Sequence, residues 1–420
     1  MSVPYYDPLW EISSKKMPFT IAVTVTMKKE ADPALMKEAA QKAIVRYPYF
    51  SVRVEKQGEQ LATVPNPAPF PVIGGDKVPT LGSKALSGHM SAIGVSGRVV
   101  RFYASHAMCD GAGFFPFIKT VLYEYLCLAE GKKLDPESIR LPDTPFFEDE
   151  LGDPYPKDAL KDAKPLYLPP KKPFFRLTEG KYAKDAKPVV YRLRTPVKDV
   201  MAFNHDHDGS PCVLLAALAA EAIASLHPEN EKDLVCDVSF NLRPGLGNRN
   251  SYRMLCSSIP VRYPQKLLQR QIAMVCTCSR GMITLQSQKE NVLFKARTQM
   301  EYFFSMRDQG TLAERSAAMG EMALRDSVNN TFSISYVGQM GLGSLEPYID
   351  SIYNLTDGST YRTLFLEVSA VGDEFDLAFI QGFSSRAYFD AFLSQMDRYA
   401  LPYTLEDPIP LSTPKMVLPK

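Results

Sequence analysis

The sequence has no excess of charge of either sign. Its 48 Lys and Arg residues face 47 Asp and Glu residues, which leaves a formal net charge of +1. A chain without a basic excess gives no electrostatic reason to expect nucleic acid or an anionic membrane as a partner. We therefore expect the protein to bind neither, although local basic patches are compatible with this balance.

Long apolar runs and several familiar motifs are also missing. No stretch of about 18 consecutive apolar residues occurs, and the first 16 residues lack the pattern of a signal peptide. The sequence contains no P-loop, no G-x-G-x-x-G and no G-x-S-x-G nucleophile elbow. We expect a cytoplasmic protein without a membrane span, whose chemistry need not pass through an acyl-enzyme.

Cysteine and histidine are too scattered to predict a disulfide framework or a metal centre. The cysteines are Cys109, Cys127, Cys212, Cys236, Cys256, Cys276 and Cys278. Their odd number and mostly apolar neighbours favour reduced core residues. His205 and His207 alternate with aspartates, but no third ligand cluster accompanies them. We expect no bound metal and no resident cofactor.

The chain of 420 residues divides into two mixed α/β regions around a proline-rich segment. Ten prolines lie in the range 136–188, together with many Lys and Asp residues. This composition is typical of a crossover, and its lysines suit either a solvated linker or, less readily, a phosphorylated ligand or carrier. We predict an N-terminal lobe at 1–140, a crossover at 141–188 and a C-terminal lobe at 189–420. Within the last, residues 267–306 are predicted to be helical with a break near Gly281.

The range 101–125 concentrates the residues that are suited to chemistry. Residues 99–105 alternate in the manner of a strand that ends at His106. From Gly111 onward, apolar residues recur at spacings of three and four, which predicts a helix that ends near Gly131. A strand-turn-helix joint holds an imidazole rigidly, and a neutral imidazole is a suitable base near pH 7. A histidine buried only for packing is the alternative interpretation.

Three segments of the sequence resemble one known family. His106, Asp110 and Gly111 spell H-x-x-x-D-G, the range 241–244 reads NLRP, and the range 333–341 reads SISYVGQMG. These segments are similar to those of the acyltransferase superfamily that contains chloramphenicol acetyltransferase, alcohol acetyltransferases, plant acyltransferases and peptide-synthetase condensation domains. The resemblance implies a mixed α/β fold of two similar lobes with an active-site tunnel between them.

The resemblance also implies roles for individual residues. His106 would be the general base, and Asp110 would face Arg243 in a structural salt bridge that holds the loop, not form a dyad with His106. Gly111 would offer a free amide at a helix start and close backbone approach, although a simple turn glycine is an equal alternative. Further candidates for oxyanion or substrate binding are Ser333, Ser335 and Asn241, although the serines fit a plain strand with outward polar residues more readily.

The sequence departs from the usual motifs of two branches of this superfamily. Condensation domains typically carry two consecutive histidines, and Ser105 stands here in the first of those places. The plant branch carries a D-F-G-W-G motif, whereas the one tryptophan of this chain is Trp10. The plant branch is therefore disfavoured, whereas the resemblance implies that the second, catalytic histidine of condensation domains is kept here as His106.

The resemblance implies an enzyme that transfers an acyl group to the hydroxyl or amine of a small-molecule acceptor. Acyl-CoA is the expected donor and co-substrate, and attack within a ternary complex is the expected route. An acyl carrier protein thioester is the alternative donor, and a non-catalytic relative that binds a carrier protein is the alternative function. We expect the protein to be a monomer.

Overall fold

The computed structural model describes residues 8–13, 17–307, 309–326, 329–356 and 363–419. The strands are β1 (Thr20–Met27), β2 (Val52–Gln57), β3 (Gln60–Pro65), β4 (Val72–Gly74), β5 (Thr80–Leu81), β6 (Ser91–Ser96), β7 (Val99–Ser105), β8 (Val189–Pro196), β9 (Leu234–Asn241), β10 (Cys256–Tyr263), β11 (Phe332–Gln339), β12 (Ile349–Thr356), β13 (Leu364–Val371), β14 (Glu374–Gln381), β15 (Thr404–Pro410) and β16 (Lys415–Met416).

Helices alternate with these strands along the chain. They are α1 (Leu9–Ile12), α2 (Pro33–Arg46), α3 (Gly111–Ala129), α4 (Glu148–Leu151), α5 (Lys157–Leu160), α6 (Val197–Asp206), α7 (Pro211–Leu226), α8 (Arg243–Leu246), α9 (Gln265–Leu268), α10 (Ile272–Gln286), α11 (Lys289–Arg307), α12 (Leu312–Asp326) and α13 (Ala387–Arg398). Short 3-10 helices lie at Pro48–Phe50, Lys84–Leu86, Leu177–Glu179 and Gly343–Tyr348.

Two sheets organise the chain. The first has the strand order β12-β1-β7-β6-β4, and the second has the order β10-β9-β11-β13-β14-β8-β15. Both sheets mix parallel and antiparallel neighbours, since β4 pairs parallel with β6 and β11 pairs parallel with β9 and β13. The predicted mixed α/β fold is thus confirmed, and each lobe is built on one sheet.

Each sheet is covered by helices whose apolar faces the sequence already indicates. Asp32 caps α2 as its side chain accepts from the Ala34 and Leu35 amides at 2.7 and 3.3 Å. Met36 and Ala40 of this helix are fully buried against the first lobe. On the second sheet, α7 is apolar over most of its surface and packs between α13 and the sheet, as expected for a helix without a solvent face.

The chain passes between the sheets a second time near its C-terminal end. After β11 in the second sheet, β12 pairs antiparallel with β1 in the first sheet over the range 349–356. The chain then returns to the second sheet as β13, which pairs with both β11 and β14. The sequence patterns did not predict β12, and its position makes β1 an internal strand of the first sheet.

The long helix predicted at 267–306 is wrong in its details. The structure has three helices there, α9, α10 and α11, and the second break falls at residues 287–288. Gly281 lies inside α10, where an added Cβ atom would meet nothing within 4 Å. A glycine on an open helix face lowers helix stability by only about 1 kcal/mol, so it does not by itself end a helix.

One helix of the described residues has the length and apolarity to cross a membrane. This helix is α3, and 56% of the relevant window is buried inside the protein. It packs against α2, and Phe114, Phe117 and Val121 belong to the core of the first lobe. A core helix of a soluble lobe has the same composition, so α3 is accounted for by packing.

Candidate active site

The end of β7 delivers His106 to the space between the sheets. The main-chain N–H of His106 donates to the Phe19 carbonyl at 2.8 Å, which extends the pairing of β7 with β1 by one step. The Phe19 ring stacks on the imidazole, with centroids 4.9 Å apart and planes 12° from parallel. Phe19 has a φ of +53°, a conformation that is uncommon outside glycine and carries backbone strain. Main chain and ring together fix the orientation of the imidazole.

The environment of His106 keeps its imidazole neutral. Burial lowers the pKa of His106 below its ordinary value, and the negative charge of Asp110 and two main-chain carbonyls oppose this only in part. Its Nδ1 atom is buried within the protein and is therefore closed to a substrate. Because the His106 side chain lines a cavity, Nε2 is the nitrogen that a substrate can reach, and a neutral Nε2 can accept a proton.

A cavity of about 140 Å³ lies against the imidazole. Its walls come from both lobes and consist of Met17, Phe19, Thr20, His106, Ser239, Thr356 and Phe365. Thr20 and Thr356 belong to the first sheet, whereas Ser239 and Phe365 belong to the second. The Thr20 hydroxyl donates to the Pro414 carbonyl at 2.8 Å. The Thr356 hydroxyl is buried and has no partner in the part of the chain that the structure describes.

Asp110 closes the turn after His106 by capping α3. Its Oδ1 accepts from the Gly113 amide at 2.9 Å, and its Oδ2 accepts from the Leu255 amide at 2.9 Å. A carboxylate at this position satisfies a free helix amide and interacts favourably with the helix dipole. Asp110 therefore joins the first-lobe helix to the segment before β10.

The structure brings Asp110 and Arg243 into a two-pronged salt bridge. The Nη1 and Nη2 atoms of Arg243 lie 2.8 and 2.7 Å from Oδ2 and Oδ1 of Asp110. Both side chains are buried, with exposed fractions of 3% and 6%. Arg243 also donates through Nε to the Ser251 carbonyl at 2.8 Å. The guanidinium is thus bound to Asp110 in the turn and to the main chain before β10. Arg243 supports the turn and does not line the cavity.

Asn241 also supports the turn, because it holds Arg243 in place. Its Oδ1 accepts from the main-chain N–H of Arg243 at 3.0 Å and from Nη1 of Arg243 at 3.2 Å. Asn241 does not line the cavity beside His106. The structure thus places Asn241 in the Arg243 network and not at the position of an oxyanion donor.

Close backbone approach in this turn belongs to Gly113 and not to Gly111, contrary to the expectation from the motif. A Cβ atom at Gly113 would lie 1.9 Å from the Tyr252 carbonyl oxygen, so only glycine fits. A Cβ atom at Gly111 would meet only the Phe115 ring at 3.5 Å, an ordinary contact. Gly111 also does not line the cavity. The reason is that α3 approaches the segment before β10 two residues further along, at the amide that Asp110 caps.

The two serines of β11 lie on the polar face of the second sheet but do not reach His106. Ser333 accepts from Asn330 Nδ2 at 3.1 Å. Ser335 pairs in register with Glu367 and makes a side-chain hydrogen bond with it. Neither serine lines the cavity, where Ser239 of the neighbouring strand β9 stands instead.

Cys109 is not placed as a nucleophile. Its side chain is fully buried. Burial raises the pKa of its thiol well above the ordinary value, and the nearby Asp110 carboxylate raises it further. A protonated thiol is a weak nucleophile. Direct transfer without a cysteine intermediate fits this environment.

A larger cavity lies elsewhere in the first lobe. It measures about 620 Å³, and its apolar walls include Leu61, Leu312 and Met416. The titratable side chains among its lining residues are Lys56 and Glu59, which pair with each other at 3.4 Å. It therefore lacks a free base, and the chemistry is better placed at His106. No group of three or more His, Cys, Asp or Glu residues within the described ranges could hold a metal ion.

The sequence analysis missed the cavity walls other than His106. Phe365 lies on β13, and the side of the sheet that its ring occupies depends on the register of β13 with β11. Thr356 lies on β12. Burial alternates only weakly along residues 349–356, so their sequence gives little indication of a strand. Hydroxyls and aromatic rings on such strands are too common to single out before the two sheets are assembled.

No family model and no curated protein matches the sequence. Solved structures do match. TRI101 of F. graminearum, complexed with coenzyme A and deoxynivalenol, has a TM-score of 0.63 at 10% identity, covering 96% of this chain and all of the other. TRI3 trichothecene 15-O-acetyltransferase from Fusarium sporotrichioides has a TM-score of 0.62 at 10% identity, with 94% of each chain covered.

A third match comes from a different kind of protein. The first condensation domain of the CDA synthetase has a TM-score of 0.56 at 12% identity, and 98% of each chain is covered. At these identities the likeness is one of fold, and it extends over nearly the whole of each chain. The fold expected from the sequence segments is therefore confirmed: this chain has the chloramphenicol acetyltransferase-like fold that acetyltransferases and condensation domains share.

Proposed function

We propose that the protein is an acyltransferase that moves an acyl group from a coenzyme A thioester to the hydroxyl or amine of a small-molecule acceptor. His106 is the general base, and the transfer is direct, with both substrates bound at once. The observation that carries the proposal is the placement of a neutral imidazole, with Nε2 open, in a cavity whose walls come from both lobes.

The reaction balances with His106 as the only proton carrier. As the acceptor oxygen or nitrogen attacks the thioester carbonyl carbon, its proton passes to Nε2 of His106. The tetrahedral intermediate then collapses, the carbon–sulfur bond breaks, and the departing thiolate takes the proton from the imidazolium. The products are the acylated acceptor and the free thiol, and His106 is neutral again. A well-placed base of this kind contributes about a hundredfold to ten-thousandfold.

Thr356 supplies the hydrogen bond that the intermediate needs. Its buried hydroxyl has no described partner and lies in the same cavity wall as His106. A hydroxyl that is fixed in a site without water stabilises a developing oxyanion far better than it would in solution. Thr356 is therefore our candidate oxyanion donor in place of Asn241 and the two serines of β11.

The size of the cavity limits what it holds. Sites that enclose whole small molecules measure about 300 to 1,000 Å³, whereas this cavity measures about 140 Å³. It admits the thioester and the attacking group, and the remainder of each substrate lies outside it. Coenzyme A is the proposed donor because TRI101 of the same fold has been solved with coenzyme A.

A carrier-protein thioester is a second candidate donor, because the condensation domain of the CDA synthetase shares this fold. The chemistry at His106 is the same for both donors, since each presents a thioester on a phosphopantetheine arm. Parallel assays with acetyl-CoA and with an acetylated carrier protein distinguish them.

The test is a mass-spectrometric screen of acyl-CoAs against pooled alcohols and amines. We expect the wild type to consume a donor and form an acylated acceptor, and we expect His106→Ala to form less than about 1% of that product, given the contribution of a general base. The matched control is His205→Ala, which removes an imidazole that is 89% exposed.

The controls separate the possible outcomes. His205→Ala should retain wild-type turnover, and both variants should keep the wild-type circular dichroism spectrum. Residual activity above a tenth of wild type in His106→Ala, under chemistry-limited conditions, would remove His106 from the base role. A folded wild type that consumes neither donor with any acceptor would favour the non-catalytic alternative.

A further inference from the structure

The polar face of the second sheet carries a buried carboxyl group that the proposed chemistry does not use. Glu367 lies on β13, two residues after Phe365 and therefore on the same side of the strand. The alternate residues Leu366 and Val368 pack into the helix-covered core of the second lobe. Glu367 thus points away from that core, toward the face from which Ser239 and Phe365 line the His106 cavity.

The carboxyl group of Glu367 is incompletely satisfied. The residue is 6% exposed. Ser335 provides a hydrogen bond to it. Its Oε2 atom is buried and has no hydrogen-bond partner among the described residues. A buried carboxyl oxygen without a partner costs free energy. Glu367 lies outside the cavity beside His106, so a ligand that completes Oε2 would extend from that cavity along this face of the sheet.

Glu367 also differs from the other acids on this face. Asp376 is met by Arg192, and Asp237 accepts from Asn330 at 3.0 Å and lies within electrostatic reach of Lys295. No cationic side chain within the described ranges forms a salt bridge with Glu367. On this face, Asp376 and Asp237 therefore have a positively charged side chain nearby, whereas Glu367 forms no salt bridge.

Glu367 lies near the loop that supports the turn after His106. Burial raises the pKa of the Cys256 thiol to about 12, and the carboxyl groups of Asp110 and Glu367 both add to that rise. Cys256 therefore lies within electrostatic reach of both acids. Along β13, the Glu367 Cα is about 7 Å from that of Phe365, since a strand rises about 3.3 Å per residue.

We propose that Glu367 is an acceptor-binding residue whose Oε2 atom binds a basic amine on the acceptor. This inference rests on the proposed acyl transfer at His106 for the direction in which the acceptor lies. The acceptor class is then an amino alcohol or a diamine. The amine that Glu367 binds is the one that is not acylated.

Burial of the carboxyl group favours this assignment over a neutral hydroxyl ligand. Burial raises the pKa of Glu367 to about 8. A protonated amine repays the cost of ionising such a group, because a hydrogen bond between two charged groups is roughly twice as strong as one between neutral groups. A hydroxyl at the same place offers a single uncharged bond.

A thermal-shift assay with 6-amino-1-hexanol and with 1,6-hexanediol tests the binding without any acyl transfer. The two probes have the same chain length and differ in one charged group. We expect the amino alcohol to raise the wild-type melting temperature more than the diol does, and we expect this difference to vanish in Glu367→Gln. Glu374→Gln removes an exposed carboxyl from the adjacent strand β14 and should keep the difference.

Acyl transfer gives a second readout. We expect the wild type to prefer the amino alcohol by about tenfold to a hundredfold in kcat/KM, and we expect that ratio to fall toward 1 in Glu367→Gln. Equal melting shifts by the two probes in the wild type, or a preference that survives in Glu367→Gln, would overturn the assignment. A wild type that binds the amino alcohol but transfers no acyl group would contradict the proposed function and leave Glu367 as a binding residue.

Discussion

The salt bridge between Asp110 and Arg243 gives the sharpest prediction about the scaffold of the site. The variants are the two single changes, Asp110→Asn and Arg243→Met, and the double variant that carries both. Each single change leaves one buried charge without its partner, because both side chains are less than a tenth exposed. Removing one member of a buried pair costs about 3 to 5 kcal/mol, whereas removing both costs much less than the sum.

The expected shifts follow from the length of the chain. For 420 residues, the entropy of unfolding at about 2.1 cal/mol/K per residue converts that cost into a fall of about 3 to 6 °C in melting temperature. Acyl transfer should fall with the single changes too, because Asp110 caps the helix that follows His106. The measurement is a double-mutant cycle by differential scanning calorimetry, with turnover recorded in parallel.

A surface pair provides the matched control. Lys42 and Glu38 lie 2.9 Å apart with exposed fractions of 42% and 52%. Solvent-exposed pairs contribute about 0 to 1 kcal/mol, so Lys42→Met and Glu38→Gln should change the melting temperature by about 1 °C or less. Additive effects of the Asp110 and Arg243 changes, or effects no larger than those of the control pair, would refute the reasoning.

Three further predictions follow from the environments of individual groups. The acid limb of the kcat/KM profile should have its midpoint below pH 6.5, because burial lowers the pKa of His106 and the neutral form is the base; a midpoint above pH 7 would contradict this. Initial-rate plots against both substrates should intersect, and donor alone should leave the protein mass unchanged; parallel lines with an adduct on Cys109 would establish a covalent route. The contribution of Glu367 to wild-type stability should fall between about pH 4.5 and 8, because the folded state holds a proton on Glu367 that the unfolded state has released; Glu367→Gln should remove this contribution, which amounts to up to about 5 kcal/mol, in urea titrations, and an unchanged pH dependence would refute it.

The sequence was most informative where local pattern and local chemistry coincide. The alternation of residues 99–105 and the helical spacing after Gly111 predicted the strand and helix around His106. The start of α2 at Asp32 and Pro33 is a feature of the same local kind, since capping depends on neighbours within one turn. The link between Asp110 and Arg243 came from the family resemblance and not from pattern, because residues that are far apart in sequence leave no local signal.

The remainder of the site depends on tertiary pairing. Thr356 and Phe365 face His106 only because β12 joins the first sheet and β13 joins the second. The same holds for Glu367, whose isolation from positive charge is decided by which strands lie beside β13. The expectation for Gly111 failed for a related reason, since the close contact is made by Tyr252, a residue that local pattern does not connect to the turn.

Because β12 pairs with β1, the sheet of the first lobe cannot be completed in the order in which the chain is synthesised. The first lobe leaves the ribosome early, yet its sheet is complete only after Thr356 has been made. At about 5 to 20 residues per second, β1 spends on the order of tens of seconds with one edge unpaired. An open strand edge is a template for pairing with other chains, so this nascent protein needs protection during that interval. The cavity beside His106 forms at the end of it, when Thr356 and Phe365 arrive together.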